Sequence, residues 1–331
     1  MIFKKIFLFI LFLATIALFM VCFNFSTNKP DSDTDYQKAF YKNYKIFSVE
    51  IPDSIDFAGE KVETNRYDVR EGIDRELLVN TYWQSQTLML IKKAFRWFPI
   101  IEPILKKNGI PEDFKYLAVA ESGLTNNMIS SAGATGMWQF IKESAIKYGL
   151  EVNDYIDERY NVEKSTLAAC KYIKEAYAIY KSWTMAAASY NVGIGSISKS
   201  IEFQKTNNYY DLYLNSETAR YVYRIIALKL ILGNPKDYGF FLRLKDLYPP
   251  IPTRTVKVDS SIKDLVSFAK NFNLNYKILK DFNLWLRKSS LENISGKTYY
   301  FTLPKEGFIT YDSLQANMSD EPFLSPDSLN E

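Results

Sequence analysis

The chain has 331 residues, 47% hydrophobic and 24% charged, which excludes disorder over most of its length and supports a buried core. It holds no histidine and two cysteines, which excludes a Ser/His/Asp triad, a Cys/His pair, His-ligated metal and Cys-rich clusters. Forty-one Lys and Arg against thirty-eight Asp and Glu leave a net charge of +3, too near balance for a nucleic-acid binder, so any catalysis must use carboxylates, tyrosines, lysines or hydroxyls.

Lys4 and Lys5 precede an apolar run from Ile6 to Phe23 broken only by Thr15. At ~1.5 Å per residue, such a run nearly crosses a hydrocarbon core of about 30 Å. The basic flank before it and Asp31, Asp33 and Asp35 after it place the start in the cytoplasm and the rest outside it. No small-residue cleavage site follows the run, so residues 1–25 are expected to be an uncleaved membrane anchor or signal segment. Lipid attachment through Cys22 is the alternative, although Phe19, Met20 and Val21 lack the small residue such processing prefers. Cys170 is then a lone thiol with no intramolecular partner.

Residues 26–69 read as a linker and an irregular N-terminal extension, and helical spacing begins near Ile73. Leu88, Ile91, Ala94 and Phe95, then Ile100, Ile101, Ile104 and Leu105, continue it to a stop at Asn108-Gly109. Pro111 opens the next helix, with Glu112 and Asp113 at its positive dipole end. Further helices are expected over Ser165–Tyr180, Thr184–Tyr190 and Glu217–Leu232, so residues 70–245 read as all-helical. Over 250–305, a strand at Thr253–Val258, helices at Ile262–Phe272 and Tyr276–Phe282, and a strand at Thr298–Leu303 give a small β-α-α-β module. The tail from 306 to 331 is acidic and expected to be disordered.

The helix beginning at Pro111 places Phe114, Leu117, Ala118 and Glu121 on one face, so an apolar stripe ends in a carboxylate at the last turn before Ser122-Gly123. Desolvation raises a carboxyl pKa, and a Glu kept partly protonated near neutrality suits general acid work. Spacing alone also allows a surface Glu. The 16% aromatic content likewise fits either a richly packed core or a groove that stacks sugar rings.

Four segments in order carry a resemblance: Ala120-Glu-Ser-Gly-Leu124, Ser130-Ser-Ala-Gly-Ala-Thr-Gly-Met-Trp-Gln-Phe140, Ala187-Ala-Ser-Tyr-Asn-Val-Gly193 and Glu217-Thr-Ala-Arg-Tyr-Val222. Together they resemble the lytic transglycosylases with a goose-type lysozyme fold, most closely the membrane-bound D branch. The resemblance implies a mainly α fold, with a lysozyme-like helical catalytic domain over 70–245. It implies that Glu121 is the sole catalytic acid/base and that Ser122 orients its carboxylate. Gly136, Met137 and Gln139 would line the groove, Tyr190 would sit close to Glu121, Asn191 would contact substrate and Tyr221 would complete the far wall. The implied partner is the peptidoglycan glycan strand, cut between N-acetylmuramic acid and N-acetylglucosamine with no cofactor or metal.

Most glycosidases use two carboxylates. Here Glu143, Asp154, Asp157 and Glu158 flank Lys142, Lys147 and Arg159 and read as solvated or ion-paired. An N-acetyl sugar can supply its own nucleophile through the acetamido oxygen. Glu121 would then deprotonate the C6 hydroxyl, whose internal attack closes a 1,6-anhydro ring. A hydrolytic muramidase of the same fold and a non-catalytic wall-binding protein are the alternatives. Lys142-Glu143 in place of Pro-Ser or Pro-Thr, and Ser189 in place of Ala, depart from the family pattern. The segment from Thr253 to Pro304 resembles a degenerate LysM domain lacking the usual Gly-Asp after its first strand, for which glycan binding and structural packing both stand open.

Overall fold

A computed structural model describes residues 45–316 together with isolated positions between 34 and 42. The expected anchor at 1–25, the Cys22 alternative and the tail beyond residue 316 lie outside the described residues. Among the described residues, no helix is long and apolar enough to cross a membrane. The chain divides into a unit over Met1–Ser48 and one over Val49–Glu331. In the first, the described positions Thr34, Gln37, Lys38, Tyr41 and Lys42 are helical.

The second unit begins with a two-stranded hairpin, β1 Asp56–Phe57 and β2 Glu60–Lys61, followed by helices α1 Tyr67–Tyr82 and α2 Gln84–Lys107. Helix α3 Lys115–Ser122 follows a 3-10 turn at Glu112–Phe114, which is where Pro111 was expected to open an α-helix. Next come α4 Lys142–Lys147, α5 Val162–Tyr180, α6 Trp183–Val192, α7 Ile194–Gln204 and α8 Ser216–Gly233. The mainly α class expected from the sequence is the one observed. Helix α7 was not anticipated; Gly193, with φ +89°, ends α6 and at once becomes the cap of α7.

The core forms because the apolar stripes converge. Ile73 and Leu77 of α1, Ile101 and Leu105 of α2, Leu117 and Ala118 of α3, Ala186 to Ala188 of α6 and Ile225 and Ile226 of α8 are all fully buried. Small residues matter where helices approach closely: a Cβ on Gly72 of α1 would lie 2.6 Å from the ring of Tyr223 on α8. The N-terminal extension, which reads as irregular, contributes Ile51, Ile55, Phe57 and Val62 to the same core. Its Glu60 does more. The carboxylate accepts from Trp183 N at 2.5 Å, Thr184 N at 2.9 Å, Thr184 Oγ1 at 2.7 Å and Ser182 Oγ at 3.0 Å, neutralising the positive end of α6.

The module follows the expected order: β3 Thr253–Val258, α9 Leu265–Lys270, α10 Tyr276–Phe282 and β4 Tyr299–Pro304, with β3 and β4 antiparallel and Val256 opposite Phe301. Its core of Leu265, Leu279, Leu286 and Phe301 also takes in Ile156 and Tyr160 from the helical part. The two parts are stitched by backbone bonds, Asp157 N to Trp285 O at 2.8 Å and Arg287 N to Tyr155 O at 2.7 Å. The expectation of disorder from residue 306 needs correction over its first residues. Helix α11 Tyr311–Gln315 buries Leu314, and Tyr311 Oη donates to Leu247 O at 3.0 Å.

The Glu60 cap should be measurable. Glu60→Ala is expected to lower stability by about 1–2 kcal/mol in denaturant unfolding, because two helix N–H groups lose a charged acceptor. Glu60→Gln should lose less, since its amide oxygen still accepts.

Candidate active site

Helix α3 carries Glu121 in its last turn, and Gly123 stops the helix with φ +56° while donating from its N–H to Val119 O at 2.9 Å. The apolar face that precedes Glu121 is sealed, with Phe114, Leu117 and Ala118 fully buried. The carboxylate therefore stands where the packed face gives way to a chain reversal, half-buried rather than solvated. Tyr221 of α8 donates its hydroxyl to Glu121 Oε1. Burial pushes the Glu121 carboxyl up to about 7, against the Tyr221 bond and the charge of Arg224, which favour the ionised form; the charge of Glu217 adds to the rise. Tyr221 is itself buried, and burial followed by the negative charge of Glu121 holds its phenol neutral, well above the ordinary tyrosine range.

Facing α3 is the loop from Met128 to Phe140, which carries the second motif. Gly136 has φ +82°, and a Cβ there would fall 2.1 Å from Arg159 O, so only glycine fits. Arg159 braces the loop, donating from Nη1 to Gly133 O at 3.1 Å and Phe140 O at 3.2 Å while forming a two-pronged pair with Asp157. Asp157 and Glu158 are buried and ion-paired, so of the two states expected for them, solvated or ion-paired, the second is observed. Asp157 serves Arg159, and Glu158 pairs with Lys164 and accepts from Glu151 N.

The positions singled out in the sequence divide by what they touch. Tyr221 contacts Glu121 directly. Tyr190 of α6 is near enough for the Glu121 charge to add to the rise that burial imposes on its phenol, and its hydroxyl donates to Trp138 O at 2.8 Å. Ser122, expected to orient the carboxylate, is buried and donates instead to Met137 O at 2.8 Å, tying α3 to the loop. Met137, expected to line a groove, has a fully buried side chain whose sulfur lies 3.7 Å from Ser122 Oγ. Its neighbour Trp138 is also core, donating from Nε1 to Thr166 Oγ1 at 2.8 Å. Gln139, at φ +48°, donates from Nε2 to Gly136 O at 2.8 Å. Among the described residues, its Oε1 accepts nothing. Asn191 accepts from Thr218 Oγ1 at 2.9 Å, and its amide nitrogen meets no acceptor among the described residues.

Sequence reasoning passed over Arg159, Asp157 and Arg224 as contributors. The one signal for Arg224 was its place three residues after Tyr221 on a helix, which sets it on the neighbouring face.

The raised carboxyl has a thermodynamic consequence. Glu121 moves from 4.5 to about 7 on folding, so the folded state binds more protons across that interval. Stability is complete below the unfolded value and declines as pH rises toward the folded one. Glu121→Gln, which does not titrate, is expected to exceed the native protein in stability at pH 8 by on the order of 1–3 kcal/mol, with the gap closing below pH 5 in parallel denaturant curves.

The sequence model of the transglycosylase SLT domain matches residues 98–213, and that of the soluble lytic transglycosylase C-terminal LysM-like domain matches residues 254–307. Over 243 residues the chain is 30% identical to the membrane-bound lytic murein transglycosylase D of Escherichia coli (strain K12), an alignment covering 72% of this chain and 52% of that protein. The chain thus spans about half the length of that relative. Two solved structures show a partial likeness. The 70 kDa soluble lytic transglycosylase of Escherichia coli aligns at 15% identity and TM-score 0.38 over 54% of this chain and 32% of that one. An inactive mutant of the lytic transglycosylase Slt from Pseudomonas aeruginosa aligns at 17% identity and TM-score 0.34 over 43% and 24%. The chain thus carries a transglycosylase SLT domain, whose match spans Glu121, followed by a LysM-like C-terminal domain.

Proposed function

We propose that this protein is a peptidoglycan lytic transglycosylase that cleaves the β-1,4 bond between N-acetylmuramic acid and N-acetylglucosamine and leaves 1,6-anhydro ends. The observation that carries the reading is the half-buried Glu121, held up to about 7 and bonded by Tyr221, because one side chain must serve first as acid and then as base. Protonated Glu121 donates to the leaving glycosidic oxygen while the acetamido oxygen closes on the anomeric carbon. The carboxylate then takes the proton of the C6 hydroxyl, whose oxygen displaces the acetamido group, so no water enters the product. Gln139 Oε1 and the Asn191 amide nitrogen offer an acceptor and a donor to the glycan. We place the activity on the periplasmic side of the envelope, tethered by the N-terminal apolar segment, as the charge flanks of that segment suggest.

A hydrolytic reading requires a second carboxylate to activate water. Glu217 is the acid whose charge reaches Glu121, but it is exposed at the start of α8. Glu76, Asp157 and Glu158 are each held by basic side chains. Mass spectrometry of muropeptides released from purified sacculi decides between the two, since hydrolysis adds one water to each new end. Anhydro products are expected from the native protein, and Glu121→Gln should reduce turnover by a factor of about a thousand or more while glycan binding persists. Digestion by that variant at the native rate would remove Glu121 from the mechanism.

The pH profile tests the same group from another side. Because the acid form is required first, kcat/KM should fall as pH rises above about 7. The Tyr221 bond favours the ionised carboxylate, so Tyr221→Phe should move that alkaline limb to higher pH, with roughly a tenfold loss of rate at its optimum.

A further inference from the structure

Three guanidinium groups converge on one carboxylate beside the acid. Glu76 of α1 is 1% exposed, and Arg75 Nη1 lies 2.5 Å, Arg220 Nε 2.9 Å and Arg224 Nε 3.6 Å from its oxygens. A single ion pair would suffice to staple α1 to α8 and to keep a buried carboxylate from standing alone. Three positive charges meet one carboxylate, so Glu76 alone does not neutralise them. Among the described residues, neither Arg220 nor Arg224 has another acceptor, and their side chains are 37% and 28% exposed. Glu76 thus holds two guanidinium forks in place without using all their donors.

Their position gives that surplus a use. Arg224 lies one helical turn, about 5 Å along the axis, beyond Tyr221, the residue bonded to Glu121. Its charge acts on Glu121 itself. Arg220 is four residues before Arg224 and shares its face. On the reading proposed above, the sugar whose anomeric bond Glu121 protonates carries its stem peptide through a lactyl ether on the same ring. The stem therefore leaves the glycan within a residue's reach of the acid, and it bears free carboxylates. Planar guanidinium forks match carboxylates in charge and geometry.

We propose that Arg220 and Arg224, positioned by Glu76, form a subsite for a carboxylate of the stem peptide, so that the protein selects glycan bearing charged stems over bare glycan. This inference rests on the transglycosylase reading, and the test separates the two. The full-length protein is given three glycan substrates: strands with native stems, strands whose stem carboxylates have been converted to neutral amides, and strands stripped of stems by an amidase. The native protein is expected to favour charged over amidated stems by about fivefold, chiefly through KM, with the preference shrinking as salt is added. This comparison needs no variant and so cannot be lost to misfolding. In Arg220→Gln/Arg224→Gln the ratio of charged to amidated kcat/KM should fall toward one; taking a ratio cancels any effect of Arg224 on the acid. Equal KM values for all three strands in the native protein, or an unchanged ratio in the variant, would overturn the subsite and leave the transglycosylase reading intact. Failure of the native protein to cleave any of the three would overturn both.

Discussion

Taking one carboxyl group out of water without closing it off is the constraint around which the helical domain is arranged. Full burial of Glu121 would bar a substrate, and full exposure would leave it ionised at neutral pH. The chain meets both demands by ending α3 one residue later. The apolar face of that helix is packed to the limit through Ala118, and Gly123 then turns the backbone away in a conformation that other residues enter at a cost. The side chain at the break is thereby left half-buried, neither sealed with the apolar face nor fully solvated. An extra turn of helix would carry the packing past the carboxylate.

The wall opposite depends on residues far from the acid in sequence. The loop carrying Gly136 and Gln139 has little regular structure, so its shape is imposed by side chains: Ser122 from α3 on one side, and Arg159, backed by buried Asp157, on the other. Arg159 belongs to the segment on which the LysM-like module sits, and Asp157 N is bonded directly to Trp285 O of that module. The C-terminal domain therefore has a structural role that holds whether or not it also binds glycan. At the other end, Glu60 caps the helix that carries Tyr190 and Asn191, so the hairpin in the N-terminal extension helps to hold that helix.

What was legible in the sequence follows from what is local. Helices with a regular apolar stripe, such as α5 and α8, fall within a few residues of their expected limits, and the module's four elements come out in order. Residues whose placement depends on distant partners were not legible. The stretch from Ile51 to Val62 has no periodicity because each apolar residue drops singly into a core formed by later helices. Met137 and Ser122 sit inside recognisable motifs, yet their side chains fasten the loop to α3 rather than face a ligand. A motif records that a residue type is needed, and bracing a loop can require it as strongly as binding does. The convergence of Arg75, Arg220 and Arg224 on Glu76 joins two helices about 140 residues apart, which no spacing rule connects.

Opposed influences on the acid explain how one group could serve two steps. A carboxyl raised only by burial would stay protonated and rarely present its carboxylate, whereas one fully compensated by hydrogen bonds and cations would stay ionised and rarely carry a proton to donate. Burial here is the largest influence, and the Tyr221 hydroxyl and the Arg224 charge pull against it, leaving the group near neutrality, where both forms are populated. Glu76 enters this balance at one remove. It pairs with Arg224, the cation whose charge acts on Glu121. Because desolvation offsets much of the attraction in a buried ion pair, the contribution of Glu76 lies less in the strength of its pairs than in where it places positive charge.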